Sequence, residues 1–338
     1  MRIFQGPRWE EGAFVDGWVG VEEGRIASVG RGDPPSCAAV RGVLVPSLVN
    51  AHTHVGDRVA RGQIPEGISL EALVAPPHGL KHRILAATPL HALVEGMRDA
   101  LREAREAGTR VVYDFREGGI EGALALRQAA EESGVSPVIL GRPAEAVDAC
   151  DGLGLSAMRD APQEARAQRD AARAAGKRFA LHWSEGARED VDAMLDLAPD
   201  FAVHAVRATP EDLARIADAR VPLVACPRSN ARLLRALPDV ESWLAHGIDA
   251  CLGSDNAMLQ SVSVLDELRF AREAWPRVAP EALVGMAVDA PRRRLAPPDA
   301  MQAWRAGEPP DFVALAPQGA SPLAALFAKD ARVVAWPS

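Results

Sequence analysis

Two histidines one residue apart, His52 and His54, close the short apolar run Val45-Pro46-Ser47-Leu48-Val49-Asn50-Ala51. In a strand side chains alternate faces, so both imidazoles point one way and Thr53 the other. Two imidazoles side by side at a strand end can grip one metal ion. A pair of this spacing is also at home on a plain surface, so its meaning depends on partners elsewhere. Three further apolar runs end in chemically able residues. They are Phe179-Ala180-Leu181-His182, followed by Trp183-Ser184-Glu185, then Phe201-Ala202-Val203-His204, and Ala250-Cys251-Leu252-Gly253-Ser254-Asp255. Alternation puts Ala180 and Ala202 on the face of His182 and His204, and turns Phe179, Leu181, Phe201 and Val203 the other way. That pattern aims both histidines into a crowded interior. Core histidines satisfied by carbonyls account for one such residue, not for a set gathered at separate strand ends.

The elements that must position these residues alternate along the chain. Strands are expected at 109–115, 136–140, 152–156, 178–182, 200–204, 221–226 and 248–255, after the run that leads into His52. Helices are expected over 120–133, 162–176, 187–197, 209–219, 263–275 and 280–287. Thr88-Pro89 supplies a cap and first-turn proline for a helix carrying Leu90, Leu93, Val94, Met97 and Leu101, and Thr209-Pro210-Glu211-Asp212 repeats that logic. Eight strand–helix units in ~250 residues predict an α/β fold, a (β/α)8 TIM-like barrel. The segment 57–87, rich in Gly and Pro, reads as a long irregular loop over the barrel mouth. Both chain ends read as strands.

Composition narrows the partners. Hydrophobic content of 48% and a charged fraction of 25% fit a globular protein, and no run reaches the ~18 apolar residues of a membrane span. A net charge of −8 disfavours nucleic acid, whose phosphates want a basic footprint. The N-terminus shows no apolar secretion signal, and Cys37, Cys150, Cys226 and Cys251 make no Cys-x-x-Cys pair. A small-molecule substrate and a cytoplasmic location are the expectations.

The ordered set Pro46-Ser47-Leu48-Val49-Asn50-Ala51-His52-Thr53-His54, His182-Trp183-Ser184-Glu185, His204, Cys226-Pro227-Arg228-Ser229-Asn230 and Leu252-Gly253-Ser254-Asp255 resembles the amidohydrolase superfamily. Within it the match is to the cytosine-deaminase and triazine-hydrolase branch, over almost the whole chain, and it implies a composite β-sandwich from 1–43 and 307–338 around a catalytic barrel at 44–306. The resemblance implies one divalent metal, Zn²⁺ or Fe²⁺, on His52, His54, His182 and Asp255. It also implies that a metal-activated hydroxide attacks an amine-bearing carbon of a nitrogen heterocycle and releases ammonia. Asp255 would take the water proton, His204 would orient the water, and Glu185 would protonate the ring nitrogen and shuttle a proton to the leaving amine. Homodimers are frequent in this branch, so the oligomeric state stays open. Hydrolysis of a ring C–N bond is the nearest alternative activity, and a paralogue that binds without catalysis is the alternative of another class.

An absence sharpens the branch. Two-metal relatives bridge their ions with a carboxylated lysine on the fourth strand, and this chain has no lysine between Lys81 and Lys177. The adenosine-deaminase branch places two aspartates in tandem, whereas Asn256 follows Asp255 here. A metallo-β-lactamase pattern would need Asp and His where Gly56 and Asp57 stand, and Cys226-Pro227 lacks the second cysteine of the small zinc deaminases. For substrate binding, Arg116 and Arg142 follow the second and third strands, Lys81 lies in the long segment, and Asn256 follows Asp255. Such cations at a barrel mouth suit a carboxylate or phosphate. Arg116 has the best-defined strand-end position of the four.

Overall fold

A computed structural model describes residues 1–159, 162–295 and 303–337. Its larger sheet is parallel throughout and runs in space as it runs in sequence: Leu48–His54, Thr109–Arg116, Ser136–Gly141, Gly152–Leu155, Arg178–Trp183, Phe201–His204, Leu223–Ala225 and Ala250–Leu252. The strand Asp255–Asn256 then pairs with Leu48–His54 at the opposite edge. One short run of chain, Ala250 to Asn256, therefore supplies both edges, and the sheet curls far enough for them to meet. Helices cover the outside, for example Leu90–Glu106, Gly119–Ala130, Pro210–Ala219 and Val264–Ala274. This is an α/β fold, with a separate mixed sheet beside the parallel one.

Period-2 packing sorts the strand residues into two apolar layers. Phe179, Leu181, Leu223, Ala225 and Leu252 join helix residues such as Leu213, Ile216 and Leu268 outside. Val49, Ala51, Phe115, Ala180, Val224 and Cys251 fill the inside. Phe201 and Val203 also lie inside while Ala202 lies outside, opposite to the expectation from alternation. The reason is register: Ala180 pairs directly with Phe201, and lateral neighbours in a sheet share a face.

The mixed sheet runs Val333–Ala335, Phe312–Leu315, Val43–Pro46, Arg2–Glu10, Ala13–Glu22, Arg25–Arg31, with Val40–Arg41 alongside Arg2–Glu10. It is a single sheet, since Val43–Pro46 pairs both with Arg2–Glu10 and with Phe312–Leu315. The chain changes sheets at Ser47, a little later than the expected boundary after residue 43. Trp9 Nε1 donates to Asp289 Oδ2 at 3.0 Å, and Arg292 Nη2 donates to Asp311 Oδ2 at 2.9 Å, so both contacts tie the mixed sheet to the helix Asp289–Leu295, which packs against the parallel sheet.

The segment over the mouth has more structure than expected. A 3-10 turn at Val55–Ala60 precedes the helices Leu70–Val74 and Leu80–Ala87, and Ser69 caps the first of them. Pro89 rather than Thr88 occupies the cap position of Leu90–Glu106. Thr88 Oγ1 instead donates to Ile84 O at 2.7 Å, closing the preceding helix. At Thr209 the expected cap forms in full, with Asp212 returning the bond. No helix among the described residues is long and apolar enough to cross a membrane.

Candidate active site

Three of the four histidines, His52, His54 and His204, reach the interior by a local break in the strand period. Val49 and Ala51 face inward, so strict alternation would aim Thr53 inward and His52 and His54 outward. Between Asn50 and Thr53 the pairing with the second strand shifts, three steps opposing two, and that irregularity turns the imidazoles inward. His182 follows Ala180 without a break. His204 follows the inward Val203, so alternation would send it outward. Its φ of +80°, and +47° at Ala205, reverse the chain there and bring the ring in. Asp255 sits at φ +59° after the break at Gly253-Ser254. A Cβ at Gly253 would lie 2.8 Å from both N and Cβ of His52, so only glycine lets these strands approach this closely. Asn50 clamps the same break, donating to Ser254 Oγ at 2.8 Å and accepting from Ser254 N at 2.9 Å.

The four rings and Asp255 converge. His52 lies 4.9 Å between centroids from both His54 and His182, and 5.6 Å from His204. His54 Nδ1 donates to Phe115 O and His182 Nδ1 donates to Leu155 O, each at 2.9 Å. Both Nε2 atoms are thereby left as bare lone pairs, and they face each other at 3.3 Å. His52, fully buried, has no hydrogen-bond partner on either ring nitrogen, although Asp255 Oδ1 lies 3.3 Å from its Nε2. Lone pairs aimed at one another in a dry interior are unfavourable unless a cation sits among them, and imidazole with carboxylate is a donor set for a divalent metal. His52, His54 and Asp255 offer ligand atoms within 4.8 Å of one another, as do His52, His182 and His204. The residues fit the ion.

Electrostatics agree with that reading. Burial lowers His52 to about 4 and His54 to about 3, and holds His182 well below the ordinary imidazole range, so all three are neutral ligands. Burial pushes Asp255 up, but the close approach of His52 and the surrounding imidazoles outweigh it and hold the carboxyl well below its usual range. Ser229 Oγ donates to Asp255 Oδ2, and Asn256 Nδ2 donates to the same oxygen at 3.1 Å. Asn230 Nδ2 donates to His204 Nδ1 at 3.1 Å, which leaves the proton on Nε2, 3.7 Å from Glu185 Oε1. Burial raises the Glu185 carboxyl above its ordinary value.

The site opens into a cavity of about 750 Å³ that His54, Lys81, Arg142, His182, Glu185, His204, Asp255 and Asn256 all line. Arg116 does not line it. Its guanidinium is 4% exposed, pairs with Glu117 Oε2 at 3.0 Å, and occupies the space a Cβ at Gly56 would need. The second strand turns it under the long segment, so it braces the wall rather than meeting a substrate. Asp57, Ser229 and Asn230 carried no assigned role in the sequence reading, whereas Glu117 stood beside Arg116 after the second strand as a group that could read the substrate. Ser229 and Asn230 could have been found from their place just after the seventh strand, while Asp57 gave no signal beyond adjacency to matched residues.

Residues 43–182 match the model of the amidohydrolase family. A putative aminohydrolase of Methanothermobacter thermautotrophicus is 31% identical over 282 residues, 74% of this chain and 73% of that protein. A 5'-deoxyadenosine deaminase of Methanothrix thermoacetophila is 25% identical over 296 residues, 74% of this chain and 68% of that protein. Among solved structures, atrazine chlorohydrolase of Arthrobacter aurescens, complexed with zinc, has a TM-score of 0.79 at 18% identity, covering 98% of this chain and 93% of that one.

Proposed function

The chain belongs to the amidohydrolase family and is a hydrolase acting on carbon–nitrogen bonds other than peptide bonds, and from that premise we propose a zinc-dependent deaminase built on a (β/α)8 barrel. Its substrate is a nitrogen heterocycle carrying an exocyclic amine, and its products are the oxo-heterocycle and ammonia. The observation that carries the reading is the pair of bare Nε2 atoms of His54 and His182 facing each other beside the unpartnered His52. His52, His54, His182 and Asp255 would hold the ion, with Fe²⁺ as the alternative to Zn²⁺. When bound, the ion lowers the pKa of a water toward neutrality and so supplies hydroxide.

The protein's own groups divide the proton work. Asp255, held ionised, accepts a proton from the attacking water. His204 Nε2–H donates to the oxygen on which charge develops at the attacked carbon. Glu185, whose raised pKa favours the protonated form, protonates the ring nitrogen, takes up the hydroxyl proton of the tetrahedral adduct and passes it to the departing amine, after which the water proton held by Asp255 restores Glu185. Arg142, Lys81 and Asn256 form the substrate-facing wall. The mixed sheet, drawn from residues 2–46 and 312–335, braces the barrel that starts at Leu48.

An ammonia-release screen of amino-purines, amino-pyrimidines, amino-pterins and their nucleosides, with zinc- or iron-loaded protein, tests the reading. The expected result is one ammonia per substrate consumed, with the oxo-heterocycle as co-product. Substrate loss by ring opening without ammonia would falsify deamination.

A further inference from the structure

The wall of the cavity next to His54 is cationic in an unusual way. One oxygen, Glu117 Oε1, serves Arg142 Nη2 at 2.7 Å and Lys81 Nζ at 2.8 Å, and lies 3.5 Å from His54 Nδ1. The other carboxylate oxygen is taken by Arg116 at 3.0 Å. Lys81, buried, has a second partner in Asp57 Oδ2 at 3.0 Å. Burial pushes Asp57 up to about 7, so near neutral pH its charge only partly offsets the lysine. Arg142 has no such second carboxylate. Among the described residues its only hydrogen bond is the one to Glu117, and its side chain lines the cavity at 17% exposure. A guanidinium carries five N–H donors in a planar fork, so most of its donors have no hydrogen-bond partner among the described residues.

Resting on the deaminase reading, we infer that the substrate carries an anionic group, a carboxylate or a phosphate, close to the reacting ring, and that Arg142 receives it. Closeness follows from the shared Glu117 oxygen, which puts Arg142 one carboxylate away from a ring of the metal-binding cluster. A fork of this kind matches two oxygens of a carboxylate or phosphate, whereas a neutral hydroxyl leaves most of its donors unmet. The space allows it, since about 750 Å³ exceeds what a bare one- or two-ring base fills. Lys81 acts at one remove. By holding Glu117 and Asp57 from the helix Leu80–Ala87, it fixes the carboxylate that aims Arg142.

The test uses metal-loaded protein and amino-heterocycles in sets of three, identical except that a neutral amide is replaced by a carboxylate or by a phosphate. Ammonia release gives kcat/KM for each, and calorimetry gives Kd for the corresponding oxo-heterocycles. One acidic member is expected to exceed its neutral partner by about tenfold to a hundredfold in kcat/KM and in affinity. Arg142→Gln should collapse that ratio and Arg142→Lys should restore part of it. Which acidic arm wins identifies carboxylate or phosphate. A neutral member processed and bound as well as both acidic ones, or an acidic preference untouched by Arg142→Gln, overturns the inference. Failure of every member to release ammonia removes the deaminase reading alone, because the calorimetric ratio still decides the role of Arg142.

Discussion

Asp255 is asked to do opposite things, to stay ionised in a dry interior and to touch the proton of an incoming water. Its neighbours explain how: His52 and His54 lie within 3.7 Å of Oδ1, while Ser229 and Asn256 donate to Oδ2. One oxygen is thus set in place and the other faces the cluster. Glu185 has few such donors, and burial leaves it ready to carry a proton. Two carboxyl groups a short way apart are thereby pushed in opposite directions, which supports the proposed division into base and acid. Replacing Glu185 by Gln should therefore lower kcat about 10²- to 10⁴-fold while zinc content, read by atomic emission, stays near that of the parent. His182→Ala should instead strip the ion. Less than half the parent's metal per chain is expected after dialysis, and a full complement would sink the ligand assignment.

At the level of elements, the site depends on where strands stop being regular. The shift at Asn50–Thr53, the positive φ of His204 and the break at Gly253-Ser254 each re-aim one group. Gly253→Ala would drive a methyl into the backbone of His52. About 1–3 kcal/mol of lost stability is expected, with weakened metal retention, whereas Gly247→Ala, at an exposed turn with nothing near its Cβ position, should leave metal content intact. The helix Pro227–Leu234 is held from outside by Glu267, which accepts from Arg228 N at 3.2 Å and pairs with Arg228 Nε at 2.6 Å. Burial raises Glu267 to about 7 despite Arg228. The folded state then binds this proton more tightly than the unfolded chain does. Stability is fullest below the unfolded carboxyl's pKa near 4.5 and is lost as pH rises through about 7. Denaturant titrations at pH 5 and pH 8 should show the parent losing roughly 1–3 kcal/mol more than Glu267→Gln over that interval. Equal losses in the two proteins would remove Glu267 as the cause.

Across the whole molecule, two sheets of different construction share a boundary at Ser47. Arg292 binds Ser47 O and Asp311 there, and Trp304 Nε1 donates to Trp9 O at 2.8 Å on the same side. Asp311 is almost wholly buried, so Arg292→Met leaves its charge with only Ser47 Oγ and the more distant Arg110 Nε, at 3.9 Å. Roughly 2–3 kcal/mol should be lost, less than for a fully buried pair because Arg292 is partly exposed. The first strand of the parallel sheet follows Ser47 directly, so weakening this seam should also reach His52 and His54. Faster release of zinc to a chelator from Arg292→Met than from the parent is the expected sign of that coupling.

The sequence by itself determined the strand–helix alternation, the strand ends at His54 and His204, the place of His182 one residue before a strand end, and the family they resemble. All of these follow from local patterns of apolar and polar residues that a chain carries whatever it packs against. The expected strand 248–255 instead breaks at Gly253-Ser254, and Asp255 opens a strand of its own. The sequence also marked Lys81 and Arg142 as cavity candidates, but it could not separate them from Arg116. That distinction is one of direction: Arg116 turns into the space left by Gly56, and Arg142 turns to the cavity, although both follow parallel strands. The facing of Phe201 and Val203 was likewise beyond alternation alone, because face depends on register with Arg178–Trp183. Nor did periodicity reveal how His52, His54 and His204 turn inward, since a shifted pairing and a left-handed φ break the period on which such reading depends. Pairing between strands and contacts between distant side chains are set only when the sheet closes, and there the tertiary structure decided which residues meet.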